Sequence, residues 1–209
     1  MSGPLCIVDY GVGNRRSVEK ALAKAGVNAV ISGDPDVISN ADGVVIPGVG
    51  AFPSAIQRMR SLGIDQAVAA AAAAGSPILG ACLGMQLLFD HSEEHGGADG
   101  LGLIAGDVIK LDASGGKLPH IGWSDVSWAR ESSLTAGLPE RTPFYHVHSY
   151  VVAPANTEVV VGWSEYGTRF ASVVQQDNIY GVQFHPEKSS TDGLRMLSNF
   201  GAICSTVAR

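Results

Sequence analysis

Short apolar segments alternate with amphipathic segments along the first half of the chain. Apolar runs rich in β-branched residues predict strands, whereas apolar residues three or four positions apart predict helices. We predict strands over 5–8, 27–31, 43–46 and 77–81, and helices over 16–25, 51–62, 64–74 and 83–91. Because parallel neighbours in a sheet require crossover connections, this succession predicts an open, mostly parallel α/β sheet with helices on both faces.

The pattern changes after about residue 96, where glycine and aspartate recur between short apolar runs. We predict strands over 103–111, 147–152, 158–163, 171–175 and 179–184, and a last helix over 191–205. Strands that follow one another through turns favour an antiparallel extension of the same sheet. With neither an internal repeat nor a linker, we expect one domain over residues 1–209.

Charge and cysteine usage narrow the function classes. Lys and Arg total 14 against 20 Asp and Glu, a net charge of −6, which argues against a nucleic acid or an anionic membrane as partner. Cys6, Cys82 and Cys204 lie far apart, and neither a signal peptide nor a membrane-length apolar stretch is evident. We therefore expect a cytoplasmic protein with free thiols. Without CxxC or tight histidine spacing, we expect neither a metal nor a cofactor.

Cys82 lies between a predicted strand and a predicted helix, with glycines two positions before and after it. This is the context of a nucleophile elbow, in which a strained turn lifts the side chain clear of the sheet. The helix N-terminus would favour the thiolate, and Leu83 N–H would serve as an oxyanion donor. We interpret Cys82 as a nucleophile, with ordinary buried packing as the alternative. Cys6 and Cys204 lack such glycines and are interpreted as buried residues.

A thiolate nucleophile requires a base, which need not be close in sequence. His185 directly follows the predicted strand 179–184, so that it and Cys82 both lie at strand carboxyl ends, where ligands gather in open parallel sheets. Pro186 fixes the intervening backbone, so that Glu187 could return to orient the imidazole as the third member of a triad.

Five motifs surround the segment GACLGMQ at residues 80–86. They are DYGVGN at 9–14, PGVGAF at 47–52, LPHIGWS at 118–124, FYHVHSY at 144–150 and QFHPEKSS at 183–190. Together they resemble the class I glutamine amidotransferases, and within that family the glutaminase subunits of imidazole glycerol phosphate synthase. The resemblance implies a flavodoxin-like fold and a Cys82–His185–Glu187 triad that hydrolyses L-glutamine to glutamate and ammonia.

The resemblance also implies a substrate pocket. Val49, between two glycines, would complete the oxyanion hole with Leu83, and a flip of its peptide could switch the activity. Gln86 lies one helical turn beyond Cys82 and would reach the glutamine head group. The remaining implied pocket residues are Gly50, Glu94, Ser149 and Tyr150. DYGVGN lacks the third glycine of a dinucleotide fingerprint, so we exclude a dinucleotide site.

Free ammonia would be lost to water, so the family docks on a synthase. The resemblance implies a heterodimer with a cyclase subunit of (β/α)₈ barrel fold, which yields imidazole glycerol phosphate and aminoimidazole carboxamide ribotide in histidine biosynthesis. The implied interface residues are Asn14, Trp123, Tyr145 and Lys188. Three alternatives stay open: the glutaminase subunit of another synthase, a redox or stress protein of similar fold, and a catalytically silent subunit.

Overall fold

The computed structural model describes residues 4–207 as a layered α/β structure with two sheets. The strands are β1 (Leu5–Val8), β2 (Ala29–Ser32), β3 (Gly43–Gly48), β4 (Ile78–Cys82), β5 (Phe89–Ser92), β6 (Ala98–Asp99), β7 (Ile104–Lys110), β8 (His120–Trp128), β9 (Arg141–His148), β10 (Tyr150–Pro154), β11 (Val160–Tyr166), β12 (Thr168–Gln176) and β13 (Ile179–Val182). The helices are α1 (Arg15–Lys24), α2 (Pro35–Ser39), α3 (Phe52–Ser61), α4 (Ile64–Ala73), α5 (Leu83–Leu87) and α6 (Ser190–Val207).

The larger sheet has nine strands in the order β2-β1-β3-β4-β13-β12-β11-β8-β9. The first five strands run parallel to one another, and the last four continue the sheet in antiparallel pairing. The central strands β3, β4 and β13 are buried along their whole length, as expected of parallel strands covered on both faces. The predicted α/β fold with an antiparallel extension is confirmed.

Helices cover both faces of the nine-stranded sheet. On one face, α1 and α6 pack in a core that includes Leu22, Leu197 and Phe200. On the other face, α2, α3 and α4 share a core with the second sheet through residues such as Ile56 and Phe89. That second sheet has the order β10-β7-β5-β6.

The second sheet corrects part of the sequence prediction. The strands predicted over 103–111 and 147–152 do not both extend the main sheet, because β7 and β10 pair in the second sheet. The predicted strand 147–152 is broken at Ser149, between β9 and β10. The strand predicted over 179–184 is parallel to β4 as well as antiparallel to β12. The helix predicted over 83–91 ends at Leu87, because Phe89 pairs with Ile104 of β7.

The carboxyl ends of β3, β4 and β13 lie next to one another at the same end of the main sheet. Segments that leave these three ends therefore share a small volume, which is where an open α/β sheet places its ligands. Among residues 4–207, no helix combines the length and the apolar character needed to cross a membrane. That residues 1–209 form a single domain stays a prediction.

Candidate active site

Cys82 occupies the sharp turn between β4 and α5. Its backbone has φ 54° and ψ −112°, in the positive-φ region that residues with a side chain rarely adopt. Such strain persists only where the surroundings impose it, and it concentrates at functional sites. The strained turn that a nucleophile elbow requires is therefore present, and the side chain is 6% exposed. That Cys82 is the nucleophile stays a prediction.

The two flanking glycines allow the turn by close approach of the backbone. A Cβ atom at Gly84 would lie 1.8 Å from the carbonyl oxygen of Ile46, and one at Gly80 would lie 2.5 Å from the carbonyl oxygen of Gly84. Neither distance is compatible with a side chain. The glycines thus let β3, β4 and α5 come together directly beneath Cys82.

His185 and Glu187 form a buried hydrogen-bonded pair next to this turn. Nδ1 of His185 lies 2.9 Å from Oε1 of Glu187, and the two side chains are only 3% and 1% exposed. His185 follows β13, and Glu187 lies in the 3-10 turn Pro186–Lys188. Because Nδ1 binds the carboxylate, Nε2 is the ring nitrogen that is available to exchange a proton with the sulfur of Cys82.

Opposing effects act on the imidazole of His185. Burial alone would lower the pKa of His185, but its interactions with the side chains of Cys82 and Glu187 outweigh burial and raise that pKa to about 9. The sulfur of Cys82 and the carboxylate of Glu187 therefore favour the protonated form of the imidazole that lies between them. An imidazolium in that position stabilises a thiolate.

Two groups that the sequence analysis did not single out complete the surroundings of the sulfur. Sγ of Cys82 lies 3.6 Å from the carbonyl oxygen of Val147, and Nε2 of Gln183 lies 3.9 Å from Sγ. Oε1 of Gln183 also accepts from Nε2 of Gln86. Gln183 is two positions before His185 in an extended segment, and side chains two positions apart on a strand point to the same face. The sequence could therefore have indicated that Gln183 and His185 lie on the same face of the sheet.

Val49 and Leu83 lie next to each other, directly after the carboxyl ends of β3 and β4. Gly48 and Cys82 are register partners on β3 and β4, so the residues that follow them are adjacent. Leu83 is the first residue of α5, where a backbone N–H has no partner within the helix. The neighbouring Gly50 has φ 114° and open space around it. Two backbone segments thus converge on the sulfur, as an oxyanion hole requires.

A cavity of about 260 Å³ opens over Cys82. Its wall contains all five residues for which a glutamine-binding role was predicted, and Pro119, Val147 and His148 are additional wall residues. The predicted residues in its wall are Val49, Gly50, Cys82, Leu83, Gln86, Glu94, Ser149, Tyr150, His185 and Lys188. The structure therefore brings together side chains from six separate segments of the chain around one thiol.

Gln86 and Glu94 are held in place by backbone contacts. Nε2 of Gln86 donates to the carbonyl oxygen of Tyr150 at 3.0 Å. Oε2 of Glu94 accepts from the backbone N–H of Phe52 at 2.7 Å, at the start of α3, where a negative charge is favourable. The Glu94 side chain is only 12% exposed.

The four residues expected to face a partner divide into two groups. Trp123, Tyr145 and Lys188 lie next to one another, with the Tyr145 ring 6.0 Å from the Trp123 ring and 6.0 Å from Nζ of Lys188. Trp123 is 53% exposed and does not pack in the core. Asn14 differs, because its Nδ2 donates to Oε1 of Glu187 within the chain. Its expected partner contact stays a prediction.

Tyr10 is a further buried residue near the site that the sequence analysis left without a role. Its hydroxyl donates to the carbonyl oxygen of Pro47 at 2.7 Å, two residues before Val49. Burial, followed by the charge of Cys82, raises the pKa of Tyr10 above its ordinary value. Only the packing of β1 against β3 brings these residues together.

Three buried histidines form a cluster next to the cavity, and one of them, His148, is part of its wall. His120 and His148 are register partners on β8 and β9, with Nδ1 of His120 3.2 Å from Nε2 of His148. His146 hydrogen-bonds to Ser172 at 2.9 Å. Burial lowers the pKa of all three histidines, that of His146 to about 3. Within the part of the chain that the structure describes, no cluster of His, Cys, Asp or Glu is arranged to hold a metal ion.

Comparisons with known proteins bear on the family and the fold of this chain. Residues 6–204 match the family model described as glutamine amidotransferase class-I. The chain is 48% identical over 200 residues to imidazole glycerol phosphate synthase subunit HisH of Moorella thermoacetica, covering 96% of this chain and 95% of that protein. It is 48% identical over 207 residues to the subunit of the same name from Symbiobacterium thermophilum, covering 98% and 96%. The solved structure of PurLQS from Thermotoga maritima superposes with a TM-score of 0.76 at 20% identity, covering 96% of this chain and 98% of that one.

Proposed function

The chain belongs to the class I glutamine amidotransferase family, and from this premise we propose that it is the glutamine-hydrolysing subunit of an imidazole glycerol phosphate synthase, active in histidine biosynthesis. One observation carries the proposal for the chemistry. A strained elbow presents Cys82 in a cavity whose wall also holds His185, and His185 is bonded to a buried carboxylate at 2.9 Å. Nucleophile, base and orienting acid are then all within one site.

In the first step, the Cys82 thiolate attacks the side-chain amide carbon of glutamine. The carbonyl oxygen becomes an oxyanion, stabilised by Leu83 N–H and by the backbone at Val49. As the tetrahedral intermediate collapses, the carbon–nitrogen bond breaks and His185 donates its proton to the departing nitrogen. The products of this step are ammonia and a thioester between Cys82 and the glutamyl group.

In the second step, neutral His185 takes a proton from water, and the resulting hydroxide attacks the thioester carbonyl. The carbon–sulfur bond breaks, glutamate leaves, and the Cys82 thiolate and the His185 imidazolium are restored. Glu187 holds His185 in one tautomer throughout, with Nδ1–H directed at the carboxylate. No atom is oxidised or reduced in the cycle.

We assign glutamine recognition to the residues around the sulfur. Gln86, Glu94, Ser149 and Tyr150 lie in the cavity wall, and they offer amide, carboxylate and hydroxyl groups to an α-amino acid. A carboxylate at Glu94 suits the ammonium group of glutamine, since the opposite charges attract. The cavity volume of about 260 Å³ fits one amino acid.

We further propose that ammonia passes to a cyclase subunit of (β/α)₈ barrel fold docked at the mouth of the cavity in a heterodimer. Exposed Trp123 and its neighbours Tyr145 and Lys188 form the side of the mouth in this proposal. The three free cysteines are consistent with a reducing compartment, and we propose a cytoplasmic location for the pair.

The experiment is glutamate release from glutamine, measured with and without the cognate cyclase and an analogue of its substrate. We expect strong stimulation by the loaded cyclase and loss of all turnover in Cys82→Ala. Cys204→Ala is the matched control, because it removes an equally buried thiol away from the cavity.

Two other outcomes of this experiment would change the proposed function in different ways. Turnover that requires Cys82 but ignores this cyclase would keep the glutaminase and indicate another synthase. No turnover under any condition would contradict the glutaminase and leave Cys82 as a redox-active thiol.

A further inference from the structure

The loop between β1 and α1 reaches the acidic member of the proposed triad. Its last residue, Asn14, directs its side-chain amide inward, and Nδ2 donates to Oε1 of Glu187. The same oxygen accepts from Nδ1 of His185 at 2.9 Å. A continuous series of contacts thus runs from Asn14 through the carboxylate to the imidazole.

The Glu187 carboxylate depends on these contacts for its orientation. Its side chain is 1% exposed, and among the described residues Oε2 has no hydrogen-bond partner. Carboxyl torsions have broad, shallow preferences, so a group held by His185 alone could rotate. Asn14 supplies a second anchor on the oxygen that faces His185.

The position of the Asn14 amide is itself fixed by the fold. The carbonyl oxygen of Asn14 accepts from the backbone N–H groups of Ser17 at 2.9 Å and Val18 at 3.2 Å, in the first turn of α1. Only the NH₂ end of the amide can donate to a carboxylate, so the amide orientation is determined by its partner. The start of α1 therefore places one donor at one buried charge.

We propose that Asn14 is a positioning residue for the triad, which holds the Glu187 carboxylate toward His185 and thereby keeps the imidazolium beside Cys82. The inference rests on the proposed function, and it gives Asn14 a role inside this chain in addition to any contact with a partner. Hydrogen bonds to charged groups are stronger than neutral ones, so the loss of this one should be measurable.

The test is a double-mutant cycle with Asn14→Ala, Glu187→Ala and both together. The first readout is glutamine hydrolysis at saturating cyclase, and the second is alkylation of Cys82 by iodoacetamide at pH 7 in the free chain. We expect Asn14→Ala to lower kcat about tenfold with KM unchanged, and to slow alkylation by a similar factor. In the Glu187→Ala background, Asn14→Ala should have no further effect on either readout.

Two more variants separate positioning from packing. Asn14→Asp keeps the shape but sets an acceptor against an acceptor, so it should lose more activity than Asn14→Ala. A packing role predicts the opposite order. Asn40→Ala is the matched control, since the Asn40 side chain is exposed and hydrogen-bonds to Asp36 and Ser39 of its own short helix. This variant should behave as the wild type.

The inference would be overturned if Asn14→Ala caused the same loss with and without Glu187, or if Asn14→Asp were as active as the wild type. Its failure is distinguishable from failure of the proposed function. A wild-type chain that never hydrolyses glutamine contradicts the function, whereas the alkylation cycle still decides whether Asn14 acts through Glu187.

Discussion

At the scale of single residues, the three cysteines of the chain differ in their surroundings and therefore in their reactivity. Cys6 is buried in β1, and burial, partly offset by a hydrogen bond to the Ser32 backbone, raises its pKa to about 11. Burial likewise raises the pKa of Cys204 to about 12. At pH 7 only about one Cys6 thiol in ten thousand would be ionised. Cys82 is instead at the wall of a cavity, beside an imidazole.

We therefore predict that a glutamine-mimicking chloroketone at pH 7 labels Cys82 and leaves Cys6 and Cys204 unmodified. Only a thiolate attacks such a reagent, and the reagent enters only the cavity. Mass spectrometry of the digested protein measures the modification of each cysteine, and glutamine should slow the labelling. Cys82→Ala, labelled in parallel, should stay unmodified until urea unfolds it. Comparable labelling of Cys6 in the native state would contradict the prediction.

The proximity of Cys82, His185 and Glu187 could be predicted from the sequence, whereas their catalytic roles stay a proposal. Cys82 is flanked by glycines at a strand end, and His185 ends another strand. Tyr10 could not be assigned a role in the same way. Its contact with Pro47 arises from the pairing of β1 with β3, which the order of residues does not reveal.

At the scale of elements, strands β8 and β9 carry a cluster of three buried histidines, of which His148 is in the cavity wall. His146 and His148 are two positions apart and both buried, and His120 stacks on the ring of His146 at 5.2 Å. Burial lowers the pKa of each below its ordinary value. Between pH 6.5 and about 3, the unfolded chain therefore binds a proton at His146 that the folded chain does not. Stability must fall as pH falls through this window.

We predict that His146→Phe makes the free energy of unfolding less sensitive to acid. One histidine contributes about 1.4 kcal/mol per pH unit, so between pH 6.5 and 5 the variant should lose about 2 kcal/mol less than the wild type. Loss of the Ser172 contact costs stability at every pH and cancels in the comparison. Urea unfolding at both pH values gives the measurement.

The control for this prediction is Ser172→Ala, which removes the same hydrogen bond but no titratable group. Its dependence on pH should follow that of the wild type, because His146 is still present and buried. If His146→Phe and the wild type lost the same free energy between the two pH values, His146 would not be a source of the acid sensitivity.

Element boundaries were predicted well where local pattern and packing agree, as in α3, α4 and β3. They were wrong where a distant strand competes for the same residues. Phe89 continues an apolar run after α5, but β7 offers it backbone hydrogen bonds in the second sheet. Ser149 divides one apolar stretch because β9 and β10 belong to different sheets. Such competition depends on tertiary contacts and not on local sequence.

At the scale of the whole molecule, four of the eight large apolar side chains that are exposed among the described residues lie in segments that border the active site. Val49 lies in the cavity wall, and Val12 lies in the loop that ends at Asn14. Ile121 and Trp123, on β8, are 61% and 53% exposed. Apolar side chains grouped in this way indicate a protein interface.

We predict that Trp123→Ala weakens binding to the cyclase about ten- to a hundredfold, since an exposed tryptophan at the centre of an interface carries a large share of the binding energy. Titration calorimetry measures the dissociation constant, and urea unfolding of the free chain should show unchanged stability because the ring packs in no core. The matched control is Ile109→Ala, where the side chain is 41% exposed but lies on β7 of the second sheet, and not on the sheet that carries Trp123.

The kinetics of Trp123→Ala separate docking from chemistry. At saturating cyclase, kcat for glutamine should return close to the wild-type value if Trp123 only docks, because Cys82, His185 and Glu187 are unchanged. A loss of kcat that saturation does not restore would mean that Trp123 also acts on the site, with Tyr145 as the connecting ring. Unchanged affinity together with unchanged kcat would place the cyclase on a different surface of the chain.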